Sequence, residues 1–232
     1  MADYINPAFL ELQGIVKTVW PWLGSAGKQL RDTQTARIKW LEFVQKYQSG
    51  QATGLNVPFV VEEFGLWSSA NDPNGFGYAG DNQKALCSIF LIDTTDELSQ
   101  TITIVNTGTG AVGVASTARY FAGQNVVVRS AGSEVLFTTI VSVDSSVQVT
   151  LATAAGVSAG MTLDAYDKTE QLYHEAQLLR AALDPAVSFT NFWTVELATV
   201  NASSSNPANA VLAKPGYNLQ AVQVTTEIFV GL

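Results

Sequence analysis

The segment LIDTTDELSQTITIV (residues 91–105) carries a helix-start signal that no helical pattern follows. Thr94-Thr95-Asp96-Glu97 is a Ser/Thr-x-x-Glu capping box, in which a hydroxyl and a carboxylate would each satisfy a backbone N–H of a first helical turn. The residues after it, Thr101-Ile102-Thr103-Ile104-Val105, alternate as a strand does. A second cap, Asp167-Lys168-Thr169-Glu170, comes later, and there a helical pattern does arrive. Leu172, Ala176, Leu179 and Leu183 fall at i, i+4, i+7 and i+11, and Asp184-Pro185 ends the run. The two seams read as a body with the order strand, cap, helix, split at the cap by an insert. The expected organisation is an α+β body over 1–97 and 167–232, with an inserted β-rich module over 98–166.

Inside the insert the chain consists of short β-runs (102–105, 112–115, 126–129, 135–143, 147–151 and 161–165) separated by small residues and turn signals. Such spacing predicts a small β-barrel-like domain. It holds a faint internal echo: Phe121-Ala122-Gly123 precedes Val126, and Val157-Ser158-Ala159-Gly160 precedes Leu163. Outside it, Asn6 is a good N-cap and Pro7 a good first helical residue, with Phe9, Leu12, Ile15, Val16 and Val19 on one face and Pro21 closing the helix. A loop over 20–27 with two tryptophans and a second helix over 35–47 are expected next. Strands over 57–67 and 84–92 flank a glycine-rich loop over 68–82, and a polar loop over 201–209 precedes the last strand. That strand sets Val222, Val224, Thr226, Ile228 and Val230 against Gln223, Thr225, Glu227 and Phe229. The body is therefore expected to be a mixed or antiparallel sheet packed with helices.

Of 232 residues, 47% are hydrophobic and only 14% charged, which excludes disorder and leaves surface for partners. The net charge of −8 disfavours a surface that neutralises phosphates. The acid excess lies after Lys46, since Lys17, Lys28, Arg31, Arg37, Lys39 and Lys46 outnumber Asp3, Glu11, Asp32 and Glu42 before it. Such asymmetry suits complementary faces that meet between subunits, or an ordinary solvated surface. The longest apolar run, 86–92, is far short of a bilayer span, and the N-terminus lacks a signal-peptide pattern. With a single cysteine, the expectation is a chain made in a reducing cytoplasm, with no membrane attachment.

Gly108, Gly110 and Gly113 spell G-x-G-x-x-G after a strand, the dinucleotide fingerprint, whose use requires a helix to start at the third glycine. Here strand follows, so turns are expected instead. Asp93, Asp96, Glu97, Asp164, Asp167 and Glu170 could converge at the seams on a divalent cation, although capping already explains Asp167 and Glu170. A Cys–His dyad would have to join Cys87, in an apolar strand, to His174, off the apolar stripe of its helix. No G-x-S-x-G is present. Asn201-Ala202-Ser203 matches a glycosylation sequon without a secretion signal. Trp20, Trp22, Phe76, Tyr78 and Tyr217 fall in expected loops, as interface anchors or as core, and the insert's aromatics are Tyr120, Phe121, Phe137 and Tyr166. No catalytic, cofactor-binding or metal-binding residue is assigned, no cofactor is expected, and the chain is read as an assembly protein and not an enzyme.

The body resembles the tail-terminator (neck) proteins of tailed bacteriophages. The likeness rests on the Asn6-Pro7 helix running into Trp20-Pro21-Trp22, on the strand over 84–92 leading to a capped helix, and on Phe189-Thr190-Asn191-Phe192-Trp193 before the final strands. The insert is similar to small β-modules of phage neck, tail and baseplate proteins, through FAGQNVVV (121–128) and TTIVSVD (138–144). The resemblance implies a virion structural protein: a homo-oligomeric, hexameric ring that ends the tail tube, joins it to the head–tail connector, and lets DNA pass without specific binding. The insertion departs from smaller terminators and leaves open another neck or baseplate role. The alternative class is a ligand- or carbohydrate-binding β-module on a scaffold.

Overall fold

The computed structural model describes residues 7–22, 59–68, 83–194, 196–202 and 219–230. The helix expected over 35–47, most of both polar loops, and Phe76, Tyr78 and Tyr217 lie outside them. In chain order the elements are α1 (Pro7–Val19), β1 (Phe59–Ser68), β2 (Gln83–Thr94), β3 (Ser99–Thr101), β4 (Ile104–Asn106), β5 (Ala111–Gly113), β6 (Asn125–Ser130), β7 (Ser133–Ser145), β8 (Gln148–Leu151), β9 (Thr162–Ala165), α2 (Lys168–Ala182), β10 (Trp193–Thr194), β11 (Thr199–Asn201) and β12 (Leu219–Val230). The chain divides into two compact units, 1–94 with 173–232 and 95–172. The second unit is wider than the expected insert and takes in both seams. The described fold is α+β but mainly β, with antiparallel sheets and two helices.

In the first unit the sheet runs β1-β2-β12-β10, and β11 also pairs with β12. β2 is interior: Ile89, Phe90, Leu91, Ile92 and Asp93 are buried in succession, so both of its faces are covered. Its ladder with β12 is unbroken over twelve pairs, from Leu219 opposite Thr94 to Val230 opposite Gln83. β12 alternates as its sequence predicts, with Val222, Val224, Thr226 and Ile228 buried and the residues between them half-buried.

α1 buries Ala8, Leu12, Val16 and Trp20, whereas Ile15 and Val19 are half-buried. The stripe is thus turned from the expected one, and Trp20, the first residue after the helix, continues it into the core. The reason is the indole N–H, which donates to the carbonyl of Glu175 at 2.9 Å. A buried Trp needs such a partner, and this acceptor fixes where the stripe ends. On α2, Leu172, Ala176, Leu179 and Leu183 are all buried, the face that their spacing predicts.

The second unit is a seven-stranded antiparallel sheet, β3-β9-β6-β7-β8-β5-β4, and not the closed barrel that the strand spacing suggested. Its ladder stays open because β3 and β4 follow one another along the chain and do not pair. β7 is the counterpart of that segment: residues up to Thr139 pair with β6, and those from Ile140 pair with β8. Each segment leaves one half-sheet and enters the other at a buried isoleucine, Ile102 or Ile140, so the corners are made by strands that change partners. Between the halves lies a core of Ile102, Val112, Val114, Tyr120, Val126, Val128, Ile140, Val149, Leu151 and Leu163, with smaller residues filling in.

The two halves are related by a pseudo-two-fold axis. Gly123 and Gly160 end matching turns, with φ of 90° and 89°. In each turn the glycine N–H donates to a corner carbonyl at 2.8 Å, Gly123 to Ile140 and Gly160 to Ile102. The corner N–H groups donate back to Gln124 at 2.9 Å and to Met161 at 2.8 Å. Val112 pairs with Val149, and Val127 with Asp164. Each pair spans the same number of positions as Gly123 and Gly160, so these pairs lie on the axis. The sequence echo is the visible part of this duplication.

A methyl group at Gly123 or Gly160 would meet nothing within 4 Å, so alanine there pays only for positive φ. Gly123→Ala and Gly160→Ala should each destabilise by about 1–2 kcal/mol, and by nearly equal amounts. Urea unfolding of the two variants checks it. Unequal costs would mean that the two turns are not equivalent.

Candidate functional site

The acidic residues of the seams separate into three local arrangements. Asp167 caps α2: its Oδ1 accepts the N–H of Thr169 at 2.7 Å and that of Glu170 at 3.4 Å. Asp93 accepts the N–H of Thr94 at 2.7 Å, and Asp96 is exposed in the bend that follows β2. Glu97 and Asp164 do converge, but on a guanidinium. Arg129 Nη1 donates to Glu97 Oε2 at 2.8 Å and to Asp164 Oδ2 at 2.7 Å. Among the described residues no three His, Cys, Asp or Glu side chains gather where a metal ion could be held. The cation at this seam is supplied by β6.

This arrangement works as a clasp. Glu97 precedes β3 and Asp164 lies on β9, the first and last strands of the module, and Arg129 on β6 grips both. The same two ends are already paired, Ser99 opposite Asp164, and the Ala165 N–H donates to the Leu98 carbonyl at 2.8 Å. Both carboxylates hold the Arg129 guanidinium charged more firmly than usual. The Asp164 side chain is only 6% exposed. Its Oδ2 also accepts from Thr162 at 3.1 Å, while Oδ1 accepts no hydrogen bond. Tyr120 reaches the same strand from the core side, its hydroxyl donating to the Leu163 carbonyl at 2.7 Å. Burial first, and then the charge of Asp164, hold this phenol protonated far into the alkaline range.

The glycine fingerprint has no helix to serve. Gly113 is in β5, and Gly108 and Gly110 sit in the turn of the β4–β5 hairpin. Gly110 has φ 76°, and its carbonyl accepts the Leu151 N–H at 2.9 Å, so the glycines allow a strand to approach closely and do not cradle a phosphate. Cys87 is buried in β2. His174 is half-buried on α2, and its pKa is lowered by burial against a smaller opposing effect of Glu175.

Two features escape a reading by motif. Glu11 on α1 accepts the N–H groups of Thr190 and Asn191, both at 2.7 Å, and the Asn191 side-chain amide at 2.9 Å. Burial works to raise its pKa, yet these bonds together hold its carboxyl below the usual glutamate range. The second feature is a pair of rings on the outer face of the module. Phe137 and Tyr166 are 49% and 54% exposed and meet edge to face, with centroids 4.9 Å apart. Tyr120, by contrast, is core.

Arg129→Met should destabilise by about 3 kcal/mol, because it strands a buried carboxylate. Arg129→Met with Asp164→Val should recover most of that loss, since valine already occupies the matching position, Val127. A double variant as unstable as the single one would disprove the clasp. For Glu11, a depressed folded-state pKa means that its contribution is complete above the usual glutamate range and lost as pH falls through the folded value. Glu11→Gln should cost about 1 kcal/mol at neutral pH and progressively less at an acid pH, as the folded value is passed. Parallel wild-type and variant unfolding at both pH values tests this. No protein-family model matches the chain, and no curated protein matches it significantly.

Proposed function

We propose that this chain is a non-enzymatic virion structural protein, a bacteriophage tail terminator that forms a hexameric ring at the neck. The observation that supports the reading most is the element order of the body. With residues 95–172 set aside, α1, β1 and β2 lead to the remainder of α2 and then to β10, β11 and β12, the order of the proteins it resembles. The uses of the described charged groups fit a structural role: Glu11 ties a helix to a loop, Asp167 caps, and Arg129 clasps. Exposed Trp193, stacked on Phe229 with centroids 5.5 Å apart, and exposed Leu197 give the body apolar surface of the kind that subunits bury. In this role the ring abuts the tail tube and the head–tail connector in the virion. The acidic net charge suits a channel that lets DNA pass without holding it. No described helix is long and apolar enough to cross a membrane.

The exposed Phe137–Tyr166 pair favours a second reading, a ligand-binding β-module carried on a scaffold. Light scattering over a concentration series separates the two. The ring reading expects a mass six times that of the chain, and a stable dimer would refute it.

A further inference from the structure

The pseudo-two-fold of the module supplies an internal control on its outer face. Residues that face the core agree between the halves: Val112 matches Val149, Val114 matches Leu151, and Val126 matches Leu163, all of them buried. On the outer face the halves part. Val127 is matched by Asp164, and Arg129 by Tyr166. The fold is satisfied by valine at the first of these positions, where Val127 is fully buried, so it does not itself demand a desolvated carboxylate at the second. Something other than the core accounts for Asp164, Arg129 and Tyr166.

What this face offers is negative charge beside open aromatic rings. Phe137 lies opposite Val127, which lies opposite Asp164, and Tyr166 is two residues further along on the same side. Glu134 is opposite Arg129 and exposed, Glu97 is bonded to Arg129 and exposed, and Asp96 and Asp167, next in the chain to Glu97 and Tyr166, are exposed as well. Arg129, on this face, is already shared by two carboxylates. Half-open rings bordered by carboxylates are suited to lysine or arginine side chains, through cation–π contact and charge together. The chain has one strongly basic stretch: residues 27–47 contain Lys28, Arg31, Arg37, Lys39 and Lys46 against only Asp32 and Glu42.

We propose that the outer face of the module, built from the exposed Glu97, Glu134, Phe137 and Tyr166, is a contact between copies of this chain and receives the basic stretch 27–47 of a neighbour. The proposal rests on the ring reading and supplies it with a charge-matched, head-to-tail interface, the type that closes a ring.

The test titrates a fluorescent peptide of residues 27–47 onto the intact protein, with light scattering of the same samples. The peptide should bind at about 0.05 M salt and weaken by about tenfold or more at about 0.5 M. Glu134→Lys and Phe137→Ala, both at exposed positions, should weaken it by about tenfold while thermal unfolding stays unchanged. Assembly of the full chain should weaken under the same salt and in the same variants. Absence of peptide binding, or binding indifferent to both variants, overturns the proposal. A hexamer that persists in both variants and at high salt leaves the ring reading intact and overturns this contact alone. A chain that stays monomeric at every concentration removes the ring and, with it, any contact between copies.

Discussion

The twelve-pair ladder between β2 and β12 is the constraint on which the described body depends. Its two strands come from opposite sides of the module, and β2 is apolar on both faces, so it is a viable strand only with neighbours on both edges. Whatever interrupts the chain after Thr94 has to leave and return without pulling this pair apart. The module meets that requirement by starting and finishing on adjacent strands, β3 and β9, with Arg129 gripping both ends. An insert whose ends lie one strand spacing apart imposes little on its host.

Much of this was legible in the residues. The mismatched cap at 94–97 drew attention to one seam because a capping box without a helix is a local contradiction, whereas the cap at Asp167 falls inside the second unit, whose other boundary lies within α2. The alternation of β12 and the stripe of α2 follow directly from period, the strongest signal that a single sequence holds. Pro21 correctly reads as a stop, and Trp20 just before it turns back into the core, the alternative settled by an indole that reaches a carbonyl more than a hundred and fifty positions away, which no local pattern reports. The barrel expectation failed for a related reason. Short strands and turns are the same for an open, two-cornered sheet and for a closed one, and the difference lies in whether the end strands β3 and β4 pair. Of the six seam carboxylates that could have converged, only Glu97 and Asp164 meet, and they do so on Arg129, which sits far from both in sequence.

The duplication within the module separates what the fold requires from what it merely tolerates. Where matched positions hold interchangeable apolar residues, packing accounts for the choice. Where one holds valine and its mate a buried aspartate, packing does not. A buried ion pair is weak support for stability on its own, and an apolar pair of like volume commonly does as well. Glu11 illustrates a different economy: one carboxylate satisfies two consecutive backbone donors and so fixes the loop before β10 to the first helix.

The long reach of the β2–β12 ladder also bears on how the protein comes into being on the ribosome. The module has its full set of strands once Ala165 has emerged, so it can condense early. β2 is made before the module and receives β12 only after the module, α2, β10 and β11 have been made. In that interval a strand apolar on both faces lacks its partner along one edge, which is the geometry that recruits identical nascent chains. Building the middle of a sheet from strands so far apart in the chain therefore creates a window of kinetic vulnerability, which translation speed and chaperone access would govern and which the finished structure no longer displays.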